Sequence, residues 1–365
     1  MKQKTIVISG INMVEGGIFT ILDNCLQKIS AYSENKRIKI IALIHDKSKF
    51  DYPNIEYIEF PRSKKSWFLR LYYEYFYFKK LSMKIKPDIW FSLHDISPNV
   101  VAKNRFVYCH HPTVFYKSTF KDWRFDYKIG VFSIFYKYLY QINIRKNKAV
   151  FVQQHWIKKE FETLFSIKNV VTCHPEFTSN SNLIKIHLDN SKIHFFYPLI
   201  SKSFKNIESI GEAVKLLPEN IKSKIKIHLT ISEGESNYAN YIIHNYNMAE
   251  MNYIGKISRE EVFGYYKKMD CLLFPSKLET WGLPLTESKA FKKPIFAANL
   301  PYAKETVGDY DTVCFFDINA PEELASLITK FVNKTIIYQG NKTEIETTNQ
   351  LNNWFELFDF ILKEQ

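Results

Sequence analysis

The chain has 365 residues, of which 46% are hydrophobic and 24% are charged, and its formal net charge is +12. This length suits two hydrophobic cores rather than one ordinary domain, and the composition excludes a low-complexity or fibrous protein. The sequence has no apolar run of signal-peptide or membrane-spanning length. Five scattered cysteines without metal-type spacing predict a reducing compartment, the cytoplasm: Cys25, Cys109, Cys173, Cys271 and Cys314.

The positive charge is concentrated in the first half of the chain. Residues 1–178 contain 29 basic and 15 acidic residues, a net charge of +14, whereas residues 179–365 contain 21 and 23, a net charge of −2. Residues 62–81 and 115–140 mix Lys and Arg with Trp, Tyr and Phe, a composition typical of segments on an anionic membrane surface. Core helices with solvated lysines, or single-stranded RNA binding, would have a similar composition. We favour docking of residues 1–178 on the inner face of the plasma membrane and expect no nucleic acid.

Strand and helix patterns alternate from the N-terminus. TIVIS predicts a strand, GINMVEGG a glycine turn and IFTILDNCLQKIS a helix. Further strands are predicted at RIKIIALIH, IWFSL, RFVYCH and KAVFVQ, the alternation typical of a doubly wound parallel sheet. His94 and Asp95 follow one of these strands, where open sheets bind ligands, and are candidates for acceptor contacts.

The second half begins another alternating series. The polar segment Thr178 to Lys192 has no strong period, and KIHFFYP after it predicts a strand. We therefore predict a first domain over residues 1–178 and a second over 179–345. Residues 346–365 contain apolar residues at helical spacing and predict a final helix.

The stretch FPSKLETWGLPLTESKAFKKPIF, residues 274–296, has the strongest functional signal. DCLLF before it predicts a buried strand, Gly282 a turn, and Leu283 the start of a helix that reaches about Phe291, with Glu287 in its first turn. Such a turn presents backbone N–H groups to an anion, and flanking carboxylates accept hydrogen bonds from sugar hydroxyls. Together they indicate a sugar nucleotide, although the helix dipole alone could explain Glu287.

This stretch resembles the donor-site signature of glycosyltransferase family 4, two glutamates separated by seven residues around a Gly-Leu-Pro turn. The resemblance extends over residues 253–276 and 301–317. It implies a GT-B fold, with two Rossmann-like domains whose parallel sheets face a central cleft and a last helix that crosses back to the first domain. It also implies that Glu279 holds the sugar hydroxyls, that Glu287 holds the ribose, and that the intervening turn contacts the donor through Thr280, Trp281, Gly282 and Leu283.

Other positions match this family less completely. Lys205, between a strand and a helix, matches the lysine that neutralises the leaving diphosphate; a surface lysine is the alternative. The arginine common five residues earlier is replaced by Ile200, and Lys202 is an open substitute. His110 in YCHHPTVFY matches a histidine beside the transferred sugar, although a histidine after a strand can be purely structural.

Two further short motifs are a pair of glycines near the N-terminus and a pair of aspartates in the second half of the chain. Gly16 and Gly17 match the family's glycine loop, where the backbone approaches the substrate, and the resemblance implies that they contact the donor. Asp309 and Asp311 have the spacing of a metal-binding D-x-D motif, but they lie outside the predicted site and are interpreted as a surface turn.

The resemblance predicts a metal-independent glycosyltransferase without a cofactor. Lys205, Glu279 and His110 are the predicted catalytic residues, and the anomeric configuration is retained. The acceptor is expected to be a glycan or a polyprenyl-linked glycan, in the synthesis of cell-surface polysaccharide. A sugar-nucleotide epimerase or phosphorylase of the same fold, or a non-catalytic glycosyltransferase-like subunit, are the alternatives.

Overall fold

The computed structural model describes residues 3–34, 36–174, 184–342 and 350–363. The chain forms two compact units: residues 1–115, 134–177 and 346–365 form the first, and residues 116–133 and 178–345 form the second. The predicted boundary after residue 178, and the start of the predicted linker, lie outside the described residues, so this boundary stays a prediction. Residues 116–133 were predicted within the first domain, but they group with the second unit.

Fourteen strands are found among the described residues. They are β1 Lys4–Ser9, β2 Ile38–Ile44, β3 Ile55–Glu59, β4 Ile89–Ser92, β5 Asn104–Cys109, β6 Ala149–Val152, β7 Val170–Cys173, β8 Ile193–Tyr197, β9 Ile225–Leu229, β10 Met251–Tyr253, β11 Cys271–Phe274, β12 Ile295–Ala298, β13 Val313–Phe316 and β14 Gln350–Leu351.

The described α-helices also number fourteen. They are α1 Gly16–Ser33, α2 Trp67–Tyr72, α3 Phe78–Ile85, α4 Phe120–Phe125, α5 Tyr127–Gln141, α6 His155–Phe165, α7 Ile207–Lys215, α8 Glu219–Lys222, α9 Asn237–Asn245, α10 Arg259–Lys268, α11 Leu283–Ala290, α12 Pro301–Val307, α13 Pro321–Val332 and α14 Trp354–Lys363. A π-helical turn at Tyr73–Tyr77 joins α2 to α3, and a 3-10 turn at Ser203–Lys205 follows β8.

The first unit contains an eight-stranded sheet in the order β14-β7-β6-β5-β4-β1-β2-β3. All its pairings are parallel. The residues of β4, β6 and β7 are buried throughout, as expected for a parallel sheet covered on both faces. The strand order reverses between β1 and β4, which makes the carboxyl ends of these two strands the ligand-binding edge expected in open α/β sheets.

The last helix belongs to the core of the first unit. Trp354, Leu357, Phe358 and Ile361 on one face of α14 are buried against residues of α1 and the sheet. These residues recur every three or four positions, which is the spacing of one helix face. The predicted C-terminal helix is therefore present.

The second unit contains a six-stranded sheet in the order β10-β9-β8-β11-β12-β13, also parallel throughout. Its strand order reverses between β8 and β11. The loops that leave the carboxyl ends of these two strands therefore lie at the position where open parallel sheets bind ligands. Among the helices that the structure describes, none has both the length and the apolar composition needed to cross a membrane.

Candidate functional site

The loops after β8 and β11 bring Lys205 and Glu279 together. The two strands are adjacent, with Phe195 opposite Cys271 in the register. The loops are joined by a backbone hydrogen bond of 2.7 Å, in which Lys277 N donates to Phe204 O. Two residues 74 positions apart in the sequence thus share one edge of the sheet.

Lys205 and Glu279 form an ion pair, Nζ to Oε1. Their side chains are only 11% and 14% exposed, so both charged groups lie in a largely desolvated site in which electrostatic interactions are strong. Lys205 is buried, so the alternative of a solvated surface lysine does not fit the structure. An anionic ligand at Lys205 would compete with the Glu279 carboxylate for the ammonium group.

Two buried tyrosines fix the loops that carry this pair. Tyr197 donates a hydrogen bond of 3.0 Å to Lys205 O, and Tyr302 donates one of 2.6 Å to Ser276 O. Burial, and after it the Glu279 charge, raises the pKa of both hydroxyls. Both groups thus stay neutral hydrogen-bond donors and hold the backbone beside the ion pair.

The turn after Glu279 has the predicted conformation. Gly282 precedes α11 with φ of +83°, a region that residues with a side chain rarely adopt. The indole Nε1 of Trp281 donates a hydrogen bond of 2.9 Å to Thr286 Oγ1, which fixes the ring against α11. Thr280 is half-buried and Leu283 is 38% exposed. The first turn of α11 therefore starts at a rigid corner next to Glu279.

Glu287 differs from its predicted position. It is the fifth residue of α11 and lies beyond the first turn, so the helix dipole does not explain it. Its carboxylate is buried and forms an ion pair with Arg259, the first residue of α10. Burial, and after it the Glu287 charge, raises the pKa of the neighbouring Tyr266. The sequence did not identify Arg259 as a partner of Glu287. Its only local signal is the capping box around it, which marks the start of a helix and no binding role.

The other candidate phosphate contact, Lys202, is paired with the 116–133 segment. Its ammonium group forms an ion pair with Asp126. Next to it, Ser203 Oγ donates a hydrogen bond of 2.5 Å to Asp122 Oδ1, and Asp122 is buried. Ile200, where the family resemblance expects an arginine, is 60% exposed. The segment thus contacts the same loop that carries Lys205.

In the first unit, His110 follows β5 and is buried. Its Nδ1 lies 3.1 Å from Gln153 Nε2, and its ring centroid lies 4.2 Å from that of Tyr108. Burial lowers the pKa of His110 below its ordinary value, so the imidazole is neutral at pH 7. A neutral, fixed imidazole can orient a hydroxyl group by hydrogen bonding.

Asp95 holds the loop that carries His110. One of its carboxylate oxygens accepts hydrogen bonds from His110 N at 2.6 Å, from His111 N at 3.1 Å and from Tyr140 OH at 2.9 Å. Burial opposes ionisation, yet the neighbouring histidines and the backbone donor lower the pKa of Asp95 to about 2. This carboxylate, considered from the sequence as an acceptor contact, fixes the loop that carries His110.

His94, the other residue considered for acceptor contacts, lies beside a buried arginine. Arg70 contacts the ring of His94 and donates a hydrogen bond of 3.1 Å to its backbone oxygen. Burial, and after it the Arg70 charge, lowers the pKa of His94 well below its ordinary value. Sequence reasoning missed Arg70, which the basic and aromatic composition of residues 62–81 did not distinguish from surface residues.

Gly16 and Gly17 are placed differently from the prediction. They are the first two residues of α1 rather than part of the preceding turn. Gly16 has φ of +66°, and a Cβ atom added at either residue would contact nothing within 4 Å. The space next to this helix start is therefore open to a ligand, and only Gly16 has a backbone that favours glycine.

The D-x-D motif lies in a bend between α12 and β13, where Asp309 and Asp311 are both exposed. This is the surface position expected from the sequence.

Residues 183–345 match the family model described as glycosyl transferases group 1. A curated relative, an uncharacterized glycosyltransferase of Methanocaldococcus jannaschii, is 25% identical over 131 residues, which cover 35% of this chain and 35% of the relative. The aligned part thus spans about a third of that relative's length.

Solved structures of the same fold match most of the chain. Sucrose-phosphate synthase from Thermosynechococcus elongatus superposes with a TM-score of 0.66 and 14% identity, over 91% of this chain and 90% of that one. HepE from Anabaena, crystallised with UDP-glucose, superposes with a TM-score of 0.55 and 12% identity, over 91% and 90% of the chains. These likenesses show the GT-B fold, and together with the family match they support a glycosyltransferase.

The group 1 match covers most of the second unit, including its donor candidates. Lys205, Glu279 and Glu287 lie within the matched residues, whereas His110, Gly16 and Gly17 lie outside them. Arg259 and Lys202 also lie within the matched residues. Asp126, the ion-pair partner of Lys202, lies outside them. The 116–133 segment therefore adds side chains to the GT-B second unit from outside the matched part of the chain.

Proposed function

We propose that this protein is a retaining glycosyltransferase that transfers a sugar from a nucleotide donor to a glycan or polyprenyl-linked glycan in cell-surface polysaccharide synthesis. The observation that carries the proposal is the largely buried Lys205–Glu279 pair at the strand-order reversal of the second sheet, next to the Gly282 corner. The proposal is also supported by the GT-B fold and by the group 1 match over these residues.

In this proposal the second unit binds the donor. Lys205 neutralises the charge that develops on the leaving diphosphate, assisted by the backbone N–H groups at the start of α11. Glu279 accepts hydrogen bonds from the hydroxyls of the sugar, and Glu287 from those of the ribose. Arg259 keeps the Glu287 carboxylate oriented.

The first unit is proposed to bind the acceptor and orient the sugar. His110, neutral and fixed by the loop that Asp95 shapes, donates a hydrogen bond to the transferred sugar. The departing phosphate accepts the proton of the attacking hydroxyl, so that one bond to the anomeric carbon breaks as the other forms on the same face. No protein nucleophile is required for this step.

A panel of nucleotide sugars, screened by thermal stabilisation, tests the donor assignment. We expect at least one to raise the midpoint of unfolding, and the corresponding free nucleoside to raise it less because it lacks the diphosphate. If no nucleotide sugar or nucleoside diphosphate changes the midpoint at millimolar concentration, the second unit has no donor site and the proposal is wrong.

Transfer is expected to proceed without a divalent metal, because Lys205 and the helix start provide the positive charge opposite the diphosphate. The rate of nucleoside diphosphate release, measured with and without EDTA, should be unchanged within about twofold. Loss of activity in EDTA, restored by manganese and abolished by Asp309→Asn, would instead assign the metal to the D-x-D motif.

We further propose that the first unit docks on an anionic membrane. α2 and the following π-helical turn expose Phe68 and Phe76, at 85% and 67%, close in sequence to the exposed Lys79 and Lys80. Exposed aromatic rings beside lysines suit the boundary between lipid headgroups and acyl chains. We therefore propose that the protein lies at the inner face of the plasma membrane.

Sedimentation with vesicles checks this docking. We expect binding to vesicles that contain phosphatidylglycerol, no binding to pure phosphatidylcholine, and release as salt rises because surface charges are screened. Phe68→Ser with Phe76→Ser should reduce binding, whereas Ile337→Ser, at an 87% exposed position of the second unit, should not. Equal binding to neutral and anionic vesicles, or none at low salt, would contradict the proposal.

A further inference from the structure

Both lysines of the loop after β8 are paired with carboxylates. Lys205 pairs with Glu279 and Lys202 with Asp126. Lys202 lies three residues before Lys205 and caps the same 3-10 turn, and Lys205 N donates a hydrogen bond of 2.9 Å to Lys202 O. Both residues therefore lie in one short turn after the carboxyl end of β8, and their backbones keep a fixed relation.

The Asp126 partner is held in place independently of its ion pair. The buried Asp122 accepts hydrogen bonds from Ser203 Oγ at 2.5 Å and from Thr119 N at 2.6 Å, which fixes α4 against the loop. The ring centroid of Phe125 also lies 4.9 Å from that of Tyr241 on α9. Asp126 follows directly, so its carboxylate stays near Lys202 even when the ion pair opens.

The two partners differ in exposure. The Lys202 side chain is 43% exposed, whereas that of Asp126 is 12% exposed. The long and flexible lysine can therefore swing its ammonium group towards a solvent-side anion, while the shorter carboxylate cannot follow it. Because the lysine end of the pair is exposed to solvent, a diphosphate with several charges can displace the single carboxylate.

We propose that Lys202 is the second diphosphate-binding cation of this protein, and that Asp126, its ion-pair partner, competes with the diphosphate for it. Lys202 thereby takes the place of the arginine that is missing at Ile200. This inference rests on the proposed donor site in the second unit, and it assigns a role in donor binding to the 116–133 segment.

A double-mutant cycle measured by calorimetry tests the competition. The probes are UDP, GDP and ADP, and the one that binds the wild type most tightly is used throughout. Asp126→Asn should tighten binding about two- to fivefold, because the competing charge is removed. Lys202→Gln should weaken it about tenfold through loss of a charge-assisted contact, and Lys202→Arg should largely retain it.

The coupling between the two changes is the decisive result. Asp126→Asn should have no effect on affinity when Lys202 is already Gln, and neither change should alter the affinity for the matching nucleoside. Asp311→Asn and Lys215→Gln, exposed changes of the same charge in the second unit, serve as controls. Thermal unfolding of each variant separates loss of folding from loss of binding.

Two failures are distinguishable. If the wild type binds none of the three nucleoside diphosphates, the proposed function is overturned and this inference with it. If the wild type binds one of them but Asp126→Asn does not tighten binding, or tightens it equally in the Lys202→Gln background, the competition is overturned while the donor site stands.

Discussion

Lys205→Ala is expected to weaken binding of the nucleoside diphosphate product by roughly 10- to 150-fold. The change removes a charge-assisted contact worth about 1.5–3 kcal/mol. It also leaves the Glu279 carboxylate, 14% exposed, without its cation next to the incoming phosphates. Because this adds repulsion to the lost attraction, the effect should fall at the upper end of the range.

Calorimetry of Lys205 and Glu279 variants separates the lost attraction from the added repulsion. Lys205→Ala combined with Glu279→Gln should regain part of the affinity, because the uncompensated carboxylate is gone. Lys215→Ala, a surface lysine on α7 that pairs with Glu212, should bind as the wild type does. Unchanged affinity in Lys205→Ala would show that the phosphates bind elsewhere.

His110→Ala is expected to slow sugar transfer by about 100-fold while leaving nucleotide affinity nearly unchanged. The proposed nucleotide contacts all lie in the second unit, whereas His110 lies in the first. Loss of the imidazole removes the group that orients the sugar, and a small misplacement of reacting atoms can cost a factor of this size. The rate at saturating donor should fall more than the Michaelis constant rises.

His110→Ala also creates a cavity, because the His110 ring is buried against Tyr108. His110→Gln, which keeps a polar side chain and fills more of the space, should fold more stably and stay slow. His45→Ala, at a half-buried histidine that contacts Ser63 in the same unit, controls for general destabilisation. Full transfer activity in folded His110→Ala would remove His110 from the mechanism.

The features that could be predicted from the sequence are those set by neighbouring residues. Apolar runs such as DCLLF give buried strands, and the Gly282 corner requires a residue that tolerates positive φ, so the strand, turn and helix around Glu279 follow from local chemistry. The position of Lys205 after a strand is equally local. The predicted fold class was confirmed by the two parallel sheets and by the similar solved structures.

The ion pairs could not be predicted, because their partners are distant in the sequence. Arg259 and Glu287 are 28 residues apart, and Asp126 and Lys202 are 76 apart. A charged residue in an exposed-looking pattern gives no sign of a partner that only tertiary structure brings close. The predicted first-turn position of Glu287 failed for a simpler reason, since it is the fifth residue of its helix and not one of the first few.

Composition was least informative for residues 115–140. Their mixture of basic and aromatic residues gave no reason to divide the segment, and all of it was predicted within the first domain. In the structure, α4 is instead attached to the second unit through buried and paired aspartates, Asp122 and Asp126. The net charge of the segment is dominated by its lysines and arginines and gives no sign of these two aspartates. They are nevertheless the residues that attach the segment to the loop after β8.

The most direct test of a glycosyltransferase is whether the sugar leaves its nucleotide for another molecule. The donor that stabilises the protein best, labelled in its sugar, is incubated with a glycolipid extract from membranes and with the wild type or Glu279→Gln. We expect label to enter the lipid-linked glycan fraction, with an equal amount of nucleoside diphosphate released, and both to fall strongly in Glu279→Gln. Label that stays on the nucleotide with every extract, or that is converted to another nucleotide sugar without acceptor, would contradict the account.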